Sequence, residues 1–219
     1  MNFDQATNLW RGVEVALLKQ NWGKYFKGKI LDLGCGEGEI ARQVFGRKIE
    51  WGLDNDLVMV RKAKQSGMYN QVLLGDARKI ALASGRADLV FSNSVIEHIQ
   101  NLDKVLPEIN RVLRQGGLLV ATMPSDCLGE YLGRGEWYAR WFNRKYQHYN
   151  LLSKEKWIEM LKIIRFKLID GYYYLDKQTI HQWHKLLWGN KLGIKLKVKP
   201  VKPERLKIGA GIAILAQKI

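Results

Sequence analysis

The sequence predicts an α/β fold in which seven strands form one doubly wound sheet with helices on both faces. Short apolar runs typical of buried strands alternate with segments of helical periodicity. These runs lie at 29–34, 49–54, 71–75, 88–93 and 117–123, and two more at 166–175 and 209–217 would complete the sheet. Such alternation is typical of a sheet covered on both faces. Because 47% of the 219 residues are hydrophobic, the chain can bury a full core, and we expect one domain over residues 1–219.

The segment before the first strand predicts a helix that covers the sheet. Trp10, Val13 and Leu17 share one face of a helix from Asn8 to Gln20, so we expect residues 1–27 to form an N-terminal helical cover. The first residues contain no basic stretch followed by an apolar core, so no secretory signal is expected. Two cysteines cannot build a disulfide framework, and no apolar run reaches the roughly 20 residues of a membrane span. We therefore expect a cytoplasmic protein.

A glycine-rich loop after the first predicted strand is the most informative motif in the chain. Residues 30–38 read Ile-Leu-Asp-Leu-Gly-Cys-Gly-Glu-Gly and lead into a predicted helix at 39–45. Gly34, Gly36 and Gly38 have no Cβ, so a ligand can approach the backbone, and the loop amides lie at a helix N-terminus. Ordinary tight strand–turn–helix connections have the same pattern, so the loop alone does not establish a ligand site.

Three acids at regular spacing strengthen the case for a ligand. Asp32, Asp54 and Asp76 each lie at the end of a predicted strand, and successive acids are 22 residues apart. Three carboxylates at strand ends suit a ligand with ribose hydroxyls, an amino group and a positive charge, such as S-adenosylmethionine. A dinucleotide is disfavoured, because its fingerprint needs a third glycine where this chain has Glu39, and Glu37 and Glu39 would repel a pyrophosphate.

The second half of the chain supplies the remaining predicted elements. We expect a helix from Leu102 to Arg114 despite Pro107. The segment Gln115-Gly-Gly117 should end this helix before the fifth strand. Ser153 is expected to cap a helix over residues 154–164, because its side chain can accept a hydrogen bond from a free amide of the first turn.

These motifs resemble those of a known family, the class I S-adenosylmethionine-dependent methyltransferases. The resemblance is carried by LDLGCGEGEI, GLDND, GDA and ADLVFSNSVIEHI, and it is strong over residues 28–124. It is most similar to a group of small-molecule methyltransferases with a Val-Ile-Glu-His-Ile type segment. The resemblance implies a Rossmann-like, mostly parallel sheet whose last strand is antiparallel. The fourth strand ends in Phe-Ser-Asn-Ser, which does not match the signature of the amino-methyltransferases that modify nucleic acid.

The resemblance also implies which residues contact the cofactor. The methionine moiety is expected at Gly34 and Gly36, and the ribose at Asp54. Adenine is expected at Asp76 and Ala77. Asp32 is implied as the acid that supports the amino group of the cofactor, and Asn55 and Asn93 belong to the same motifs. The implied cofactor residues are therefore Asp32, Gly34, Gly36, Asp54, Asn55, Asp76, Ala77 and Asn93.

Two histidines are candidate catalytic residues. His98 follows the fourth strand, at the end that faces the methionine side of the cofactor in the family, and could remove a proton from the acceptor. It could instead orient the start of a helix or stack on the cofactor, and the neighbouring Glu97 could cap that helix. His148 follows the fifth strand, where this group often places a substrate-facing histidine, although a structural loop histidine fits the sequence equally well.

Residues 125–150 are rich in aromatic residues and glycines and predict a cover over the acceptor. Trp137, Trp141 and Tyr149 are the candidate substrate contacts. Alternatively, the rings of this segment pack against the N-terminal helix. Cys127 is not expected to act as a nucleophile, because no motif of a cysteine-dependent methyltransferase surrounds it.

Positive charge is concentrated in the second half of the chain. Residues 1–100 carry a net charge of +3, and residues 101–219 carry +12. We expect residues 176–207 to be a basic insertion between the last two strands, with a helix at 178–188 and alternating basic and apolar residues at 195–202. This insertion could be a solvated basic face that includes a lysine-protected edge strand, a contact with an anionic membrane through residues 177–207, or a platform for RNA.

The sequence therefore predicts an S-adenosylmethionine-dependent methyltransferase that needs no metal. We expect a small or lipid- or saccharide-linked acceptor, with methylation at oxygen rather than nitrogen. Two alternatives remain open: an RNA methyltransferase that uses the basic C-terminal half, and a non-catalytic module that binds the cofactor. The expected location is the cytoplasm, and peripheral contact with a membrane stays open.

Overall fold

A computed structural model describes residues 4–219, and within this range seven strands form a single sheet. They are β1 (Ile30–Leu33), β2 (Ile49–Asp54), β3 (Tyr69–Leu74), β4 (Ala87–Asn93), β5 (Leu113–Pro124), β6 (Phe166–Tyr174) and β7 (Gly211–Lys218). Their order is β3-β2-β1-β4-β5-β7-β6, and β7 runs antiparallel to both neighbours. This confirms the predicted Rossmann-like sheet with an antiparallel last strand. Residues 1–3, where the expected N-terminal cover begins, lie outside the described residues.

Helices connect the strands and cover both faces of the sheet. They are α1 (Gln5–Trp22), α2 (Glu39–Phe45), α3 (Leu57–Ser66), α4 (Leu102–Val112), α5 (Cys127–Tyr131), α6 (Gly135–Lys145), α7 (Lys154–Ile163) and α8 (Lys177–Lys191). Short 3-10 turns lie at Gly23–Tyr25 and Ile96–His98. As predicted, Ser153 caps α7, because its hydroxyl oxygen accepts a hydrogen bond from the amide of Lys156 at 3.3 Å.

The core has two layers, one on each face of the sheet. Helices α1, α2, α5, α6 and α8 pack on one face, where Trp22, Phe91 and Phe142 are buried. Helices α4 and α7 pack on the other face, around Leu106 and Trp157. Because both faces are covered, every residue of β1 is buried, the charged residue Asp32 included.

The strand order places a ligand site at the centre of the sheet. β1 pairs in parallel with both β2 and β4, and the chain crosses from one side of β1 to the other after β3. In sheets of this kind, ligands bind in the crevice outside the carboxyl ends of the strands where the order reverses. The glycine loop follows β1 directly, and therefore lies at this point.

The junction between the fourth helix and the fifth strand differs from the prediction. α4 ends at Val112 rather than at Arg114, and β5 begins at Leu113, four residues before the expected start. Leu113 pairs with Ala87 of β4, and the pairing register shifts before Leu89. Pairing with β4 therefore draws the Gln-Gly-Gly segment into the strand, and a helix-stop signal in the local sequence does not reveal that partner.

The insertion between β6 and β7 packs on α1 through its helix. Ile180 of α8 is fully buried, and the ring of Trp183 lies 5.1 Å from that of Trp10, with ring planes at 61°. The apolar side of this helix therefore contacts α1. No helix within residues 4–219 is long and apolar enough to cross a membrane.

Residues 195–202 do not form the edge strand that their alternation allowed. The backbone of Leu196 hydrogen-bonds with the side chain of Gln5. The backbone of Lys199 hydrogen-bonds with the side chain of Gln182. These backbone groups pair with side chains of α1 and α8 instead of a neighbouring strand. The alternating lysines therefore do not protect a sheet edge.

Candidate functional site

The glycine loop turns sharply from β1 into α2. Gly34, Gly36 and Gly38 have φ angles of +75°, +51° and +89°, in the left-handed region. At Gly34 a Cβ would lie 2.2 Å from a methyl carbon of Val95, so a larger residue would displace its neighbour. The amide of Gly34 donates to the carbonyl oxygen of Leu53 at 2.7 Å, which fixes the loop to the end of β2.

A groove of about 620 Å³ opens at the carboxyl ends of the central strands. Asp54 lies in its wall, and its carboxylate accepts hydrogen bonds from the amides of Gly36 and Asp56, both at 2.9 Å. These bonds hold the carboxylate at the strand end. The predicted site residues that line the groove are Gly34, Asp54, Asn55, Asp76, Ala77, His98 and Tyr149.

Asp76 lies at the rim of the groove and is paired with Arg78. The Nε atom and the backbone amide of Arg78 donate to Oδ1 of Asp76 at 3.0 and 2.8 Å. These hydrogen bonds hold the pKa of Asp76 below its ordinary value. The carboxylate is therefore ionised at neutral pH and can accept a further bond from an amino group.

Asp32 is buried and does not line the groove. The hydroxyl of Tyr69 donates to its carboxylate at 2.6 Å. Burial raises the pKa of Asp32 to about 7, and the charge of Asp54 adds to this, while the bond from Tyr69 opposes it. A contact between Asp32 and a ligand would therefore have to pass through the loop or through water.

The side chain of Asn93 points to α1. Its amide donates to Glu14 and to the hydroxyl of Thr122, both at 2.6 Å. Since both hydrogens of the amide are used there, the side chain has no donor left for a ligand, and the residue does not line the groove.

A second cavity, of about 150 Å³, adjoins the groove. Ser94 and His98 line both, so they form a shared wall. The small cavity has both polar and aromatic side chains in its lining. The main polar ones are Arg11, Glu97, His98 and His148, and the aromatic ones are Trp10, Phe142, Tyr146 and Trp183.

The two predicted histidines meet in this cavity. The ring centroids of His98 and His148 are 5.1 Å apart. Burial lowers the pKa of His98, and it lowers that of His148 to about 4, helped by repulsion from His98. Both rings are therefore neutral at pH 7. The Nδ1 atom of His98 lies 3.2 Å from the carbonyl oxygen of Gln147, which can only accept, so this nitrogen carries the hydrogen and Nε2 keeps a lone pair.

Glu97 and Arg11 are cavity residues that sequence reasoning missed. Glu97 is 1% exposed, and its Oε2 atom has no hydrogen-bond partner among residues 4–219. Burial raises its pKa to about 8, so the carboxyl group is protonated at neutral pH. Arg11 donates to Glu14 at 2.6 Å and to the hydroxyl of Ser94 at 2.7 Å. The sequence contained one signal for Arg11: Glu14 is an acid on the same predicted helix face as Trp10 and Leu17, where a buried acid needs a partner.

The three predicted substrate contacts lie elsewhere. Trp137 and Trp141 line neither the groove nor the small cavity and are exposed on the outer side of α6. Tyr149 lines the cofactor-sized groove. Phe142 of α6 and Tyr146, the residue directly after that helix, instead line the small cavity, because side chains four residues apart share a helix face.

A wide groove of about 630 Å³ lies away from the strand ends, between α8 and residues 196–206. Four lysines line it, Lys185, Lys197, Lys199 and Lys202, together with Asp176 and Glu204. Neither predicted histidine lies near this groove, so it carries charge but none of the candidate catalytic groups.

The described part of the chain offers no cluster of three or more side chains that could hold a metal ion. Cys35 and Cys127 are both free thiols. Burial raises the pKa of each, so neither is activated as a nucleophile.

Comparison with known proteins identifies a methyltransferase domain in this chain. Residues 31–121 match a family described as a methyltransferase domain. A malonyl-(acyl-carrier protein) O-methyltransferase of Hamiltonella defensa is 34% identical over 133 residues, which are 59% of this chain and 50% of that protein. An uncharacterised protein of Methanocaldococcus jannaschii is 29% identical over 168 residues, 76% of each chain. The chain spans about half the length of the O-methyltransferases it matches.

Solved structures share the fold over nearly the whole chain. A S-adenosylmethionine-dependent methyltransferase from Thermotoga maritima has a TM-score of 0.70 at 19% identity, with 98% of this chain and 91% of that one covered. Geranyl diphosphate C-methyltransferase from Streptomyces coelicolor, in complex with S-adenosylhomocysteine, has a TM-score of 0.66 at 13% identity, with 95% and 77% covered. The family match therefore shows that residues 31–121 form a methyltransferase domain, and the structural likenesses show that the chain has the fold of S-adenosylmethionine-dependent methyltransferases.

Proposed function

We propose that this protein transfers the methyl group of S-adenosylmethionine to a hydroxyl oxygen of a small acceptor, or of one linked to a lipid or saccharide. The observation that carries the proposal is the wall of Ser94 and His98 shared by the groove and the small cavity. A cofactor in the groove and an acceptor in the cavity would meet at this wall. Relatives named as O-methyltransferases of a carrier-linked acyl group favour oxygen over nitrogen.

The groove fits the cofactor by its chemistry. Asp54 and Asp76 offer carboxylate oxygens to hydroxyl and amino groups at the ends of β2 and β3. Gly36 leaves open space where a Cβ would stand. We assign Asp54 to the ribose, Asp76 and Ala77 to adenine, and the glycine loop to the methionine moiety. Asp32 would support the amino group through the loop or through water.

The residues of the shared wall can perform the proton transfer that a hydroxyl acceptor needs. Bound S-adenosylmethionine supplies an activated methyl group and leaves as neutral S-adenosylhomocysteine. His98 would accept the hydroxyl proton on Nε2, since its Nδ1 is engaged with Gln147 and its lowered pKa keeps the ring neutral. His148 packs beside it and would orient the ring or the acceptor.

The small cavity sets the shape of the acceptor group that can enter. Its aromatic rings exclude water and bind a flat or apolar group, while Arg11 and Glu97 offer hydrogen-bond donors. A volume of about 150 Å³ admits the reacting end of an acceptor rather than a whole lipid or oligosaccharide. The remainder of such an acceptor would extend out of the cavity.

The function can be tested with methyl-labelled S-adenosylmethionine. The protein is incubated separately with total lipid extract, a saccharide fraction and total RNA, and the label is followed into each. Label in lipid or saccharide that resists mild alkali supports a hydroxyl acceptor, whereas label released by alkali would identify a carboxyl ester and contradict it. Label in amino groups would likewise contradict oxygen as the site.

Two histidine variants sharpen this test. We expect His98→Asn to lower turnover about 10²–10⁴-fold, the usual contribution of a general base. His181→Asn is the matched control, because His181 is exposed and lines the wide groove instead. Equal turnover in the two variants would remove His98 from the mechanism.

The wide basic groove supports one alternative, an RNA methyltransferase. Label in nucleosides of the RNA fraction would establish it. A non-catalytic module would bind S-adenosylmethionine by calorimetry and yield no S-adenosylhomocysteine with any of the three fractions.

A further inference from the structure

The outer side of α6 and α8, together with the residues just after α8, carries a group of exposed apolar side chains. We name it the tryptophan face, and its members are Trp137, Trp141, Trp188, Leu192 and Ile194, with Lys145 and Lys191 among them. Trp137 is 68% exposed and Leu192 is 70% exposed. Large apolar side chains exposed together are typical of an interaction surface.

Lysines lie over the rings of this face. Trp141 and Trp188 are nearly parallel, with centroids 6.5 Å apart and an interplanar angle of 11°. The ammonium of Lys145 lies 4.7 Å from the centroid of Trp141, and that of Lys191 lies 5.0 Å from that of Trp188. Indole rings combined with ammonium groups are typical of protein surfaces that sit at the boundary between lipid headgroups and acyl chains.

The charge around the tryptophan face is almost entirely positive. Residues 177–203, which include α8 and the segment after it, contain no acid, and α6 contains only Glu136. Such a surface attracts an anionic partner and repels a cationic one.

We propose that the tryptophan face docks on an anionic lipid bilayer. Leu192 and Ile194 would enter the headgroup region with the indole rings, while the lysines would contact anionic headgroups. A single-stranded nucleic acid fits less well, because its bases need open ring faces for stacking, and ammonium groups lie over the faces of Trp141 and Trp188.

The position of this face ties it to the acceptor cavity. The buried sides of the same two helices carry Phe142 and Trp183, which line the cavity together with Tyr146, the residue after α6. Docking would therefore bring the cavity close to the bilayer surface, where the reacting end of a lipid-linked acceptor lies. This consequence for the acceptor rests on the proposed function, whereas the docking itself does not.

Vesicle co-sedimentation of the full chain tests the docking directly. One set of vesicles contains phosphatidylcholine alone, and the other contains about 30% phosphatidylglycerol, enough to give a negative surface potential. We expect binding to the anionic vesicles alone, weakened by added salt. Binding to neither set, or equal binding to both, would overturn the proposal.

Matched variants locate the contact. We expect Trp137→Ala combined with Leu192→Ser to lower the bound fraction about tenfold, because both side chains would lose apolar burial. Ile163→Ser on α7 is the control, since Ile163 is 77% exposed on another part of the surface and should change nothing. Equal effects of the two changes would also overturn the proposal.

Two further readouts separate the possible failures. Binding of transfer RNA is measured on the same proteins. If the wild type binds RNA but no vesicles, and the double variant loses RNA binding, the partner of the tryptophan face is a nucleic acid and not a bilayer. Calorimetric titration with S-adenosylmethionine is run on each protein. Docking with no cofactor binding would refute the proposed function alone, and cofactor binding without docking would refute the docking alone.

Discussion

At the scale of single residues, Asp54 tests the cofactor assignment. We expect Asp54→Ala to weaken S-adenosylmethionine binding more than tenfold, because a ribose hydroxyl bound to a carboxylate contributes about 1.5–3 kcal/mol. Isothermal titration gives the affinity. Asp103→Ala is the control, since Asp103 lies in the first turn of α4 and does not line the groove. Unchanged affinity in Asp54→Ala would remove the ribose assignment.

Glu97 makes stability depend on pH. Its pKa is raised from 4.5 in the unfolded chain to about 8 in the fold, so between these values the folded protein keeps a proton that the unfolded chain releases. The free energy of unfolding therefore falls as pH rises through this window and levels off above pH 8. The total loss is on the order of a few kcal/mol.

Glu97→Gln should remove this dependence, because an amide does not titrate. We expect urea unfolding at pH 5, 7 and 9 to show the variant gaining stability relative to wild type as pH rises. The difference between the two proteins isolates Glu97 from other groups, such as His148, whose lowered pKa makes stability rise with pH between about 4 and 6.5. Parallel curves would show that Glu97 titrates alike in both states.

At the scale of elements, the glycine loop can be tested against a second glycine of the same conformation. Gly34 and Gly46 both have a positive φ, but a Cβ meets Val95 at Gly34 and nothing at Gly46. We expect Gly34→Ala to lower the free energy of unfolding by about 1–3 kcal/mol more than Gly46→Ala does, because only the change at Gly34 adds a steric clash to the backbone strain. Urea unfolding measures both. Equal losses would mean that Val95 moves aside freely.

The same scale shows how far the sequence could predict the elements. Ser153 correctly predicts the start of α7, because its hydroxyl oxygen accepts a hydrogen bond from an amide only three residues away. The start of β5 was misplaced, because Leu113 pairs with Ala87 in another part of the chain. The alternation at 195–202 was ambiguous for the same reason, since Gln5 and Gln182 decide its partners. Local rules therefore predict helix caps better than strand ends.

At the scale of the whole molecule, the two parts of the site differ in how the chain builds them. The groove comes mainly from consecutive segments between residues 34 and 100, so motifs at fixed spacing could reveal it. The small cavity gathers Arg11, Glu97, Phe142 and Trp183 from four distant segments. The contact between these four residues depends on tertiary packing. Only the orientation of α6 therefore shows that Phe142 lines the cavity and that Trp137 and Trp141 do not.

Glu14 holds these distant segments together. It is 1% exposed and binds Arg11 and Asn93, both at 2.6 Å, and the hydroxyl of Tyr174 on β6. We expect Glu14→Ala to lower the free energy of unfolding by about 3–5 kcal/mol, because it leaves the partly buried guanidinium of Arg11 without its counter-charge.

The same variant should separate the two parts of the site. Because α1 does not line the groove, S-adenosylmethionine affinity by titration should stay within about threefold of wild type, whereas methyl transfer should fall more than tenfold as the cavity loosens. Glu136→Ala, at an exposed acid of α6, is the control and should leave stability, affinity and turnover unchanged. A parallel loss of affinity and turnover in Glu14→Ala would show instead that groove and cavity form one cooperative unit, in which α1 supports the cofactor as much as the acceptor.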